Sequence, residues 1–435
     1  MAFRSAAWIR HAGATVAARV PRIPPGRPRV AAIVAWVLAL GAIGYMITRN
    51  VTNPLQFRMV DLDVYRNGAL AILHNRHLYS VTSRDGLLFT YPPAAAVLAI
   101  PLDAVPLKAA VLAWLPMVYV PLSIVIWFAF RPLLARAGDY APAAFAVLLG
   151  FCAFLMPLRQ ELHFGQIDIF LVVLCTLDCT VREPRWPRGA LIGLATAIKL
   201  VPGVFIIYLL ITGRRRAAGT AALSFLIVSL LAWVIAPGDS SLYWTRIIFE
   251  SSRLGPNSQA ANQSLRAILM RMFAPQLPPL ALWLGVALVV AVLGFAAAAA
   301  VRRHGHELGG VAITGMLAAL LSPVAWIHHI CWIVIALGVI IGDGRDKRRV
   351  ATAIAGGAIF TAVVPIWGKD LFLGHLVPNL VSRSLEDTFG VAALLTIAII
   401  FRLRATDPGP LAAVPALASG RSAAEDKVLA GTRDG

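Results

Sequence analysis

Two carboxylates, Asp61 and Asp63, follow the first apolar run of this 435-residue chain. A carboxylate is a natural general base near neutral pH, and an Asp-x-Asp pattern also occurs where a metal ion is bound through oxygen. The pattern is short and common, so a helix cap in a polar loop is an alternative interpretation for either residue. Which chemistry applies depends on the elements that position the two side chains.

The composition of the chain predicts a membrane protein. Hydrophobic residues make up 59% of it and charged residues 14%, and apolar runs long enough to cross a bilayer recur along nearly the whole length. The predicted fold class is therefore an all-α polytopic membrane protein with one integral domain at 31–401. A basic cytoplasmic tail at 1–30 precedes this domain, and a cytoplasmic tail at 402–435 follows it and is expected to be disordered.

The net charge of +18 is compatible with nucleic acid or with cytoplasmic loops that face anionic lipid. No soluble basic domain is available to carry nucleic acid, so membrane lipids are the predicted partners. The positive-inside rule places basic runs, such as the three arginines at 214–216, in the cytoplasm. About twelve transmembrane helices are predicted, at 31–47, 109–130, 141–158, 167–181, 189–198 with 201–211 as a split pair, 217–236, 280–301, 310–327, 330–342, 350–367 and 389–401.

The split pair is interrupted by Lys199-Leu200-Val201-Pro202. Each half is too short to cross a bilayer, and the run starts and ends at cytoplasmic arginines. This pattern predicts a hairpin of two half-helices with its tip buried in protein, because irregular backbone at membrane depth needs internal partners. A second short run at 93–105, bracketed by prolines, is predicted to be a re-entrant or interfacial helix on the outer side.

The unusual polar residues all fall on the outer side of this topology. Ionisable groups at membrane depth are costly and usually functional, so their shared location is the main sign of a site. Adjacent histidines on a helix point about 100° apart, and we therefore expect one of His328 and His329, not both, to face it. The clusters are Asp61 with Asp63, 89–93, 159–166 with Asp168, Lys199, 262–266 and 322–329.

Six short motifs, taken in order along the chain, resemble glycosyltransferase family 87. Any one of them is weak, but the ordered set covers the chain from about 60 to 330. Typical members have serine where this chain has Ala325 in the last motif. The motifs are Asp-x-x-Val-Tyr (61–65), Phe-Thr-Tyr-Pro-Pro (89–93), Phe-Gly-Gln (164–166), Lys-x-x-Pro (199–202), Asn-Gln-Ser (262–264) and Ser-Pro-x-x-Trp-x-His-His (322–329).

The resemblance implies the GT-C fold of membrane glycosyltransferases and a reaction at the outer face of the plasma membrane. It implies a polyprenyl-phosphate-mannose donor, a glycolipid acceptor such as a phosphatidylinositol mannoside, and an α-1,2 linkage formed with inversion. A lipomannan or lipoarabinomannan branching enzyme and an arabinofuranosyltransferase are alternatives within the family. No resident cofactor is implied, and a divalent metal is the less favoured option.

The resemblance also implies roles for individual residues. Asp61, where the first motif begins, is the expected general base, and Asp63 is its rival. Charged donors suit the phosphate of the donor lipid, and the candidates are Arg266, Lys199, His328 and His329. The candidates for binding the sugar or the acceptor are Asp63, Tyr65, Tyr91, His163, Gln166, Asn262, Gln263 and Trp326.

A lipid flippase or transporter is the main alternative from another functional class, because broken helices also occur at transport sites. A transporter should carry polar residues from the middle of the membrane to both faces. The clusters predicted here remain on one side, which favours an enzyme.

Overall fold

The computed structural model describes residues 26–52 and 59–404, and the regular elements in these ranges are helical, with only two isolated β-bridges. Most of each predicted tail, at 1–25 and 405–435, lies outside the described residues, whereas 27–30 and 402–403 belong to helices. The α-helices are α1 (Arg27–Thr52), α2 (Val60–Leu73), α3 (Pro93–Leu98), α4 (Leu107–Met117), α5 (Tyr119–Ala129), α6 (Arg131–Ala137), α7 (Ala141–Ala153), α8 (Met156–Phe164), α9 (Asp168–Thr180), α10 (Ala190–Ile198), α11 (Val204–Ile211), α12 (Arg215–Ile235), α13 (Pro237–Thr245), α14 (Leu265–Phe273), α15 (Leu280–Arg303), α16 (Glu307–Leu321), α17 (Ile333–Ile341), α18 (Lys347–Thr361), α19 (Val364–Leu373), α20 (Asn379–Glu386) and α21 (Thr388–Leu403).

Four helices in the described ranges are long and apolar enough to cross a membrane: α1, the run of α4 and α5, α12 and α15. Three sharply bent pairs raise this number to seven if each pair is one span: α6 and α7 with α8 (70°), α18 with α19 (47°), and α20 with α21 (59°). The all-helical prediction is confirmed, and the count of twelve membrane crossings is not.

The difference arises because several apolar runs, α16 among them, form helices of only 10–17 residues. In α16, every residue from Gly309 to Leu320 is buried, and its 15 residues rise only about 22 Å. In α12, by contrast, large side chains such as Leu223, Leu230 and Val234 are exposed. Hydrophobicity alone does not separate these two environments, since both exclude water.

The split pair forms the predicted hairpin. Helix α10 begins beside Ala217 at the start of α12, and α11 ends close to the same point, where the Arg214 amide donates to the Leu209 carbonyl at 2.9 Å. The tip between the two helices is buried, with Lys199 only 7% exposed. The nine residues of α10 rise about 14 Å, so Lys199 lies within the height of α12 and not at its end.

Two features hold the hairpin against its neighbours. The buried Asp178 carboxylate accepts hydrogen bonds from the amides of Gly189 (2.9 Å) and Ile192 (3.0 Å) and so caps the start of α10. Gly193 lets α10 approach α12 closely, because a β-carbon there would lie 2.3 Å from the Ala221 carbonyl oxygen.

We therefore predict that Gly193→Leu forces α10 away from α12 and lowers the thermal unfolding temperature in detergent. Overpacking of this kind costs about 1–3 kcal/mol. Gly219→Leu is the matched control, since a β-carbon at Gly219 on α12 meets no atom within 4 Å. Equal unfolding temperatures for the two variants would contradict this account of the α10–α12 contact.

Candidate active site

The centre of the site is the ammonium group of Lys199. Its Nζ donates to both carboxylate oxygens of Asp168, at 2.9 and 2.8 Å, and lies 3.0 Å from Nε2 of His329. An ammonium can only donate, so Nε2 of His329 accepts and the imidazole proton is on Nδ1. Helix α10 ends at this point partly because Pro202 has no amide hydrogen to continue the helical ladder.

His328 and His329 both face this centre. They lie in a 3-10 turn, Ile327–Ile330, and their rings meet edge to face with 4.7 Å between centroids. Ligand atoms of Asp168 and of both histidines lie within 4.8 Å of one another. The expectation that only one histidine faces the site is wrong, because a 3-10 turn and two inclined rings bring both side chains to the same carboxylate.

Asp61 reaches the same region from the first turn of α2. Its carboxylate has a hydrogen bond with the Gln166 side chain, and the Tyr65 hydroxyl donates to Oε1 of Gln166 at 2.9 Å. The Tyr65 and Tyr91 hydroxyl oxygens are 3.3 Å apart, and Nζ of Lys199 is 5.7 Å from the centre of the Tyr91 ring. The first, second, third and fourth sequence motifs therefore meet in space.

The electrostatic environment of Asp61 differs from that of an ordinary surface carboxylate. Burial raises the pKa of Asp61 to about 7; the nearby charge of Lys199 and the hydrogen bond from Gln166 limit this rise. The side chain is only partly enclosed. A carboxylate that titrates near pH 7 is well matched to proton transfer at physiological pH.

Asp63 has a different setting. Its Oδ2 accepts the Arg84 amide at 2.9 Å and the Asn67 side chain at 3.1 Å, and Nε of Arg84 lies 3.4 Å from Oδ1. Side chains two apart on a helix point about 200° apart, so Asp63 faces the 74–92 loop while Asp61 faces Gln166. The structure therefore makes Asp63 an anchor of that loop.

Gly165 makes the contact between α8 and α2 possible. It ends α8 with φ of 70°, and a β-carbon there would lie 2.8 Å from Cβ of Leu62 and 2.9 Å from Sδ of Met59. Glycine is the residue that adopts a positive φ without strain and, having no β-carbon, also permits this close approach. This close approach brings Gln166 against Asp61 and Tyr65.

Three of the predicted sugar-binding residues instead hold the histidine segment in place. Oδ1 of Asn262 accepts the Ala325 amide at 2.8 Å, and the Gln263 amide donates to the Ala325 carbonyl at 2.7 Å. The Gln263 side chain is bonded to the backbone of Glu386 and Gly390. Trp326 pairs with Asn262 through a β-bridge. These contacts are with the backbone of neighbouring segments and not with Asp61.

Arg266 and His163 lie at the edges of the site. Arg266 donates to the Ser251 hydroxyl at 2.9 Å and its guanidinium lies 5.2 Å from the Trp283 ring centre. Nδ1 of His163 lies 3.3 Å from Oδ1 of Asn50, and its carbonyl accepts the Met59 amide at 2.8 Å. Neither residue has a described hydrogen bond or ion pair to Lys199, Asp168 or the histidine pair.

Sequence reasoning missed the importance of Asp168. It lies two residues after Gln166 and opens the apolar helix α9. That position was the available signal, because an acid at the start of an apolar run needs a partner. Its partner Lys199 is 31 residues away, which the sequence alone did not reveal.

Comparison with known proteins identifies the family. Residues 89–323 match the model of glycosyltransferase family 87. A polyprenol-phosphate-mannose-dependent alpha-(1-2)-phosphatidylinositol mannoside mannosyltransferase of Mycobacterium tuberculosis is 32% identical over 370 residues, covering 80% of this chain and 84% of that protein. The chain belongs to glycosyltransferase family 87.

Two further relatives of this family 87 protein have similar names. A polyprenol-phosphate-mannose-dependent alpha-(1-2)-phosphatidylinositol pentamannoside mannosyltransferase of Mycobacterium tuberculosis is 29% identical, over 84% of each chain. A phosphatidylinositol mannoside mannosyltransferase of Mycolicibacterium smegmatis, with the same stated donor and linkage as the first relative, is 31% identical over 71% of this chain and 76% of its own. No solved structure matches significantly. The prediction of a membrane glycosyltransferase is confirmed.

The structure of this family 87 enzyme predicts that Gly165→Ala separates Gln166 from Asp61 and abolishes most glycosyl transfer. Gly213→Ala is the matched control: Gly213 also has a positive φ, 78°, but a β-carbon there meets no atom within 4 Å. The control carries only the cost of the left-handed conformation, about 1–2 kcal/mol. Thermal unfolding and initial transfer rates should be measured together, and similar rates in the two variants would show that the α8–α2 contact is unimportant.

Proposed function

We propose that this protein transfers mannose from polyprenyl-phosphate-mannose to a phosphatidylinositol mannoside, forming an α-1,2 linkage. The donor, acceptor and linkage follow the names of three relatives, each aligned over more than two thirds of this chain. We further propose that the reaction takes place at the outer face of the plasma membrane, on the side of the membrane away from the arginines at 214–216. The GT-C architecture implied by the family belongs to the same proposal.

One observation carries the mechanism: Asp61 lies beside Gln166, Tyr65 and Tyr91, while the second carboxylate of the site, Asp168, is paired with Lys199. A transferase that uses an activated sugar phosphate needs one base and a polar frame that holds the sugar. Asp61 has no ion-pair partner within 4.0 Å in the described ranges, so its charge is available to a substrate.

The proposed reaction is a single displacement. Asp61 accepts the proton of the acceptor hydroxyl while that oxygen forms a bond to C1 of mannose. The bond from C1 to the phosphate oxygen breaks, and polyprenyl phosphate leaves with the bonding electron pair. A donor with a β-linked phosphate then gives an α-mannoside. The negative charge of Asp61 also stabilises positive charge at C1 as the old bond breaks.

Within this proposal, the existing contacts of Lys199, His328 and Arg266 indicate which of them can bind the donor phosphate directly. Lys199 already uses its donors on Asp168 and His329, and therefore acts mainly through its charge. His328 is buried, and neither of its ring nitrogens has a hydrogen-bond partner among the described residues. A buried polar group without a partner costs about 1–3 kcal/mol, and a bound phosphate oxygen would supply that partner. Arg266 remains a candidate only for a contact further along the donor.

We predict that Asp61→Asn lowers kcat for mannosyl transfer by about 10²–10⁴-fold, the usual contribution of a general base. Asp63→Asn removes a loop anchor and should reduce stability more than it reduces kcat. Asp343→Asn, at an exposed ion pair with Arg345, is the control for purification and detergent effects. The assay uses purified protein, labelled polyprenyl-phosphate-mannose and phosphatidylinositol mannoside, with the product linkage determined by mass spectrometry. Full activity of Asp61→Asn would reject its assignment as the base.

The pH profile gives an independent test. Because Asp61 must be deprotonated to act and its pKa is about 7, kcat/KM should rise as pH increases, reach half its maximum near pH 7, and fall tenfold per unit at lower pH. Asp61→Asn should lose this rise and retain a flat residual rate. A wild-type profile that stays flat between pH 5 and 8 would rule out a base with this pKa.

A further inference from the structure

The residues around Lys199 include three side chains of the kind that bind divalent metals. Asp168, His328 and His329 each offer one ligand atom, and these atoms lie within 4.8 Å of one another. Two histidines and one carboxylate form a common ligand set for zinc and for other transition metals. In this protein, however, the Lys199 ammonium lies among them.

We infer that Lys199 is a built-in cation that takes the place of a divalent metal, and that removing its ammonium group leaves a functional metal-binding site formed by Asp168, His328 and His329. The position of Nζ supports this inference. It contacts both oxygens of Asp168 at 2.9 and 2.8 Å and Nε2 of His329 at 3.0 Å. These are the donors that a metal ion would use.

The distances between Nζ of Lys199 and its partners suit an ammonium group. A metal ion would need the same ligand atoms to move closer to the centre of the site. Hydrogen bonds from an ammonium are near 2.8–3.0 Å, whereas zinc binds nitrogen and oxygen at about 2.0–2.2 Å. Nε2 of His328 lies 3.9 Å from Oδ2 of Asp168, close to the separation of two ligands of one metal. With the lysine side chain shortened, small rotations of the two imidazoles bring all three donors to one ion.

The Lys199 ammonium and a divalent metal ion cannot occupy this site together, because their positive charges repel each other. Lys199 and Asp168 together are neutral, which suits side chains that are 9% and 11% exposed. Adding a divalent ion next to the ammonium would place three positive charges against one carboxylate in a buried environment, where repulsion is weakly screened. The nearby acid Glu161 has no ion pair with Lys199 within 4.0 Å in the part of the chain that the structure describes, and its Oε1 accepts the Ile169 amide at 2.8 Å.

His328 provides a second, independent indication. Its side chain is 4% exposed, and both ring nitrogens lack a partner among the described residues. A buried imidazole without hydrogen bonds has unused binding capacity, because both ring nitrogens can still bind a ligand. In the wild-type protein we assign that capacity to substrate; in a variant without the ammonium it becomes available to a metal.

The test compares Co²⁺ binding by wild type and Lys199→Ala, both purified in detergent through a tag without histidine. Each is stripped with a chelator and titrated with Co²⁺ while visible absorption and thermal unfolding are recorded. Lys199→Ala should bind about one equivalent, with ligand-field bands and a raised unfolding temperature. Wild type and Lys199→Arg, which keeps the charge, should show neither effect.

The ligands are checked with Lys199→Ala/His329→Ala, in which Co²⁺ affinity should fall by more than about tenfold. If Lys199→Ala unfolds when stripped, because Asp168 is left unpaired, it is purified with Co²⁺ throughout; recovery of a cooperative unfolding transition then supports the inference. Failure to bind Co²⁺ under either condition overturns it, and so does wild type that copurifies with one tightly bound metal ion.

Metal uptake by the variant does not depend on the donor or acceptor, so this result stands apart from the proposed reaction. The corresponding activity measurement does rest on the proposed function: mannosyl transfer by wild type should survive extensive dialysis against EDTA. Loss of transfer on chelation, with recovery on adding a divalent ion, would mean that Lys199 does not replace the metal.

Discussion

The ion pair between Lys199 and Asp168 is the interaction on which the rest of the site depends. Both side chains are almost enclosed, and neither charge is tolerable there alone: breaking one side of a buried pair typically costs about 3–5 kcal/mol. The pair joins the tip of a broken helical hairpin to the start of α9. Lys199 also contacts His329 and lies close to the Tyr91 ring, so the pair connects the hairpin to the histidine segment and to Tyr91.

The bent and broken helices follow from the need to bring such a pair together. An unbroken helix through Lys199 would present its side chain from a continuous apolar surface, whereas the break at Pro202 lets the tip turn inward. The 70° bend between α7 and α8, followed by Gly165, brings a second irregular segment beside the hairpin tip, where Asp168 meets Lys199. Irregular backbone within a membrane protein is stable only when other protein groups supply its hydrogen bonds.

The histidine segment is held by a separate network. Asn262 and Gln263 bind the Ala325 backbone, and they belong to a loop fixed by the fully buried guanidinium of Arg271. Arg271 donates to Asp387 at 2.6 Å and also contacts backbone carbonyls of the same loop. The Asn-Gln motif therefore positions the histidine segment through its backbone, which explains why the side chains of the motif have backbone partners.

Much of this arrangement was accessible from sequence. The hairpin and its buried Lys199 followed from two half-length apolar runs between basic residues, and the meeting of Asp61, Tyr65, Tyr91 and Gln166 followed from ordered motifs. Local patterns succeed where the constraint is local: a proline, a glycine or a hydrophobic length. They also identified the family before any comparison.

The remaining features depend on contacts between residues far apart in sequence. The partner of Lys199 was not predicted, because several polar residues were available and only packing selects Asp168. The number of membrane crossings was not confirmed because several apolar runs form short helices: α16, for example, has only 15 residues. Asp63 and Asn262 have sequence patterns compatible with ligand binding, yet the backbone of neighbouring segments already occupies their polar atoms.

The carboxylates of Asp168 and Asp61 therefore differ in environment, because each one faces different groups. Asp168 is neutralised by a lysine that cannot leave without exposing a buried charge, so it is suited to holding Lys199 and the histidines in one geometry. Asp61 is partly open, its pKa is about 7, and it has a hydrogen bond with the Gln166 side chain but no ion pair within 4.0 Å in the described ranges. Two acids in one cavity separate into a structural and a reactive group when only one has a resident counter-ion. The counter-ion on the hairpin tip therefore leaves Asp61 as the acid that the proposed mechanism uses as its base.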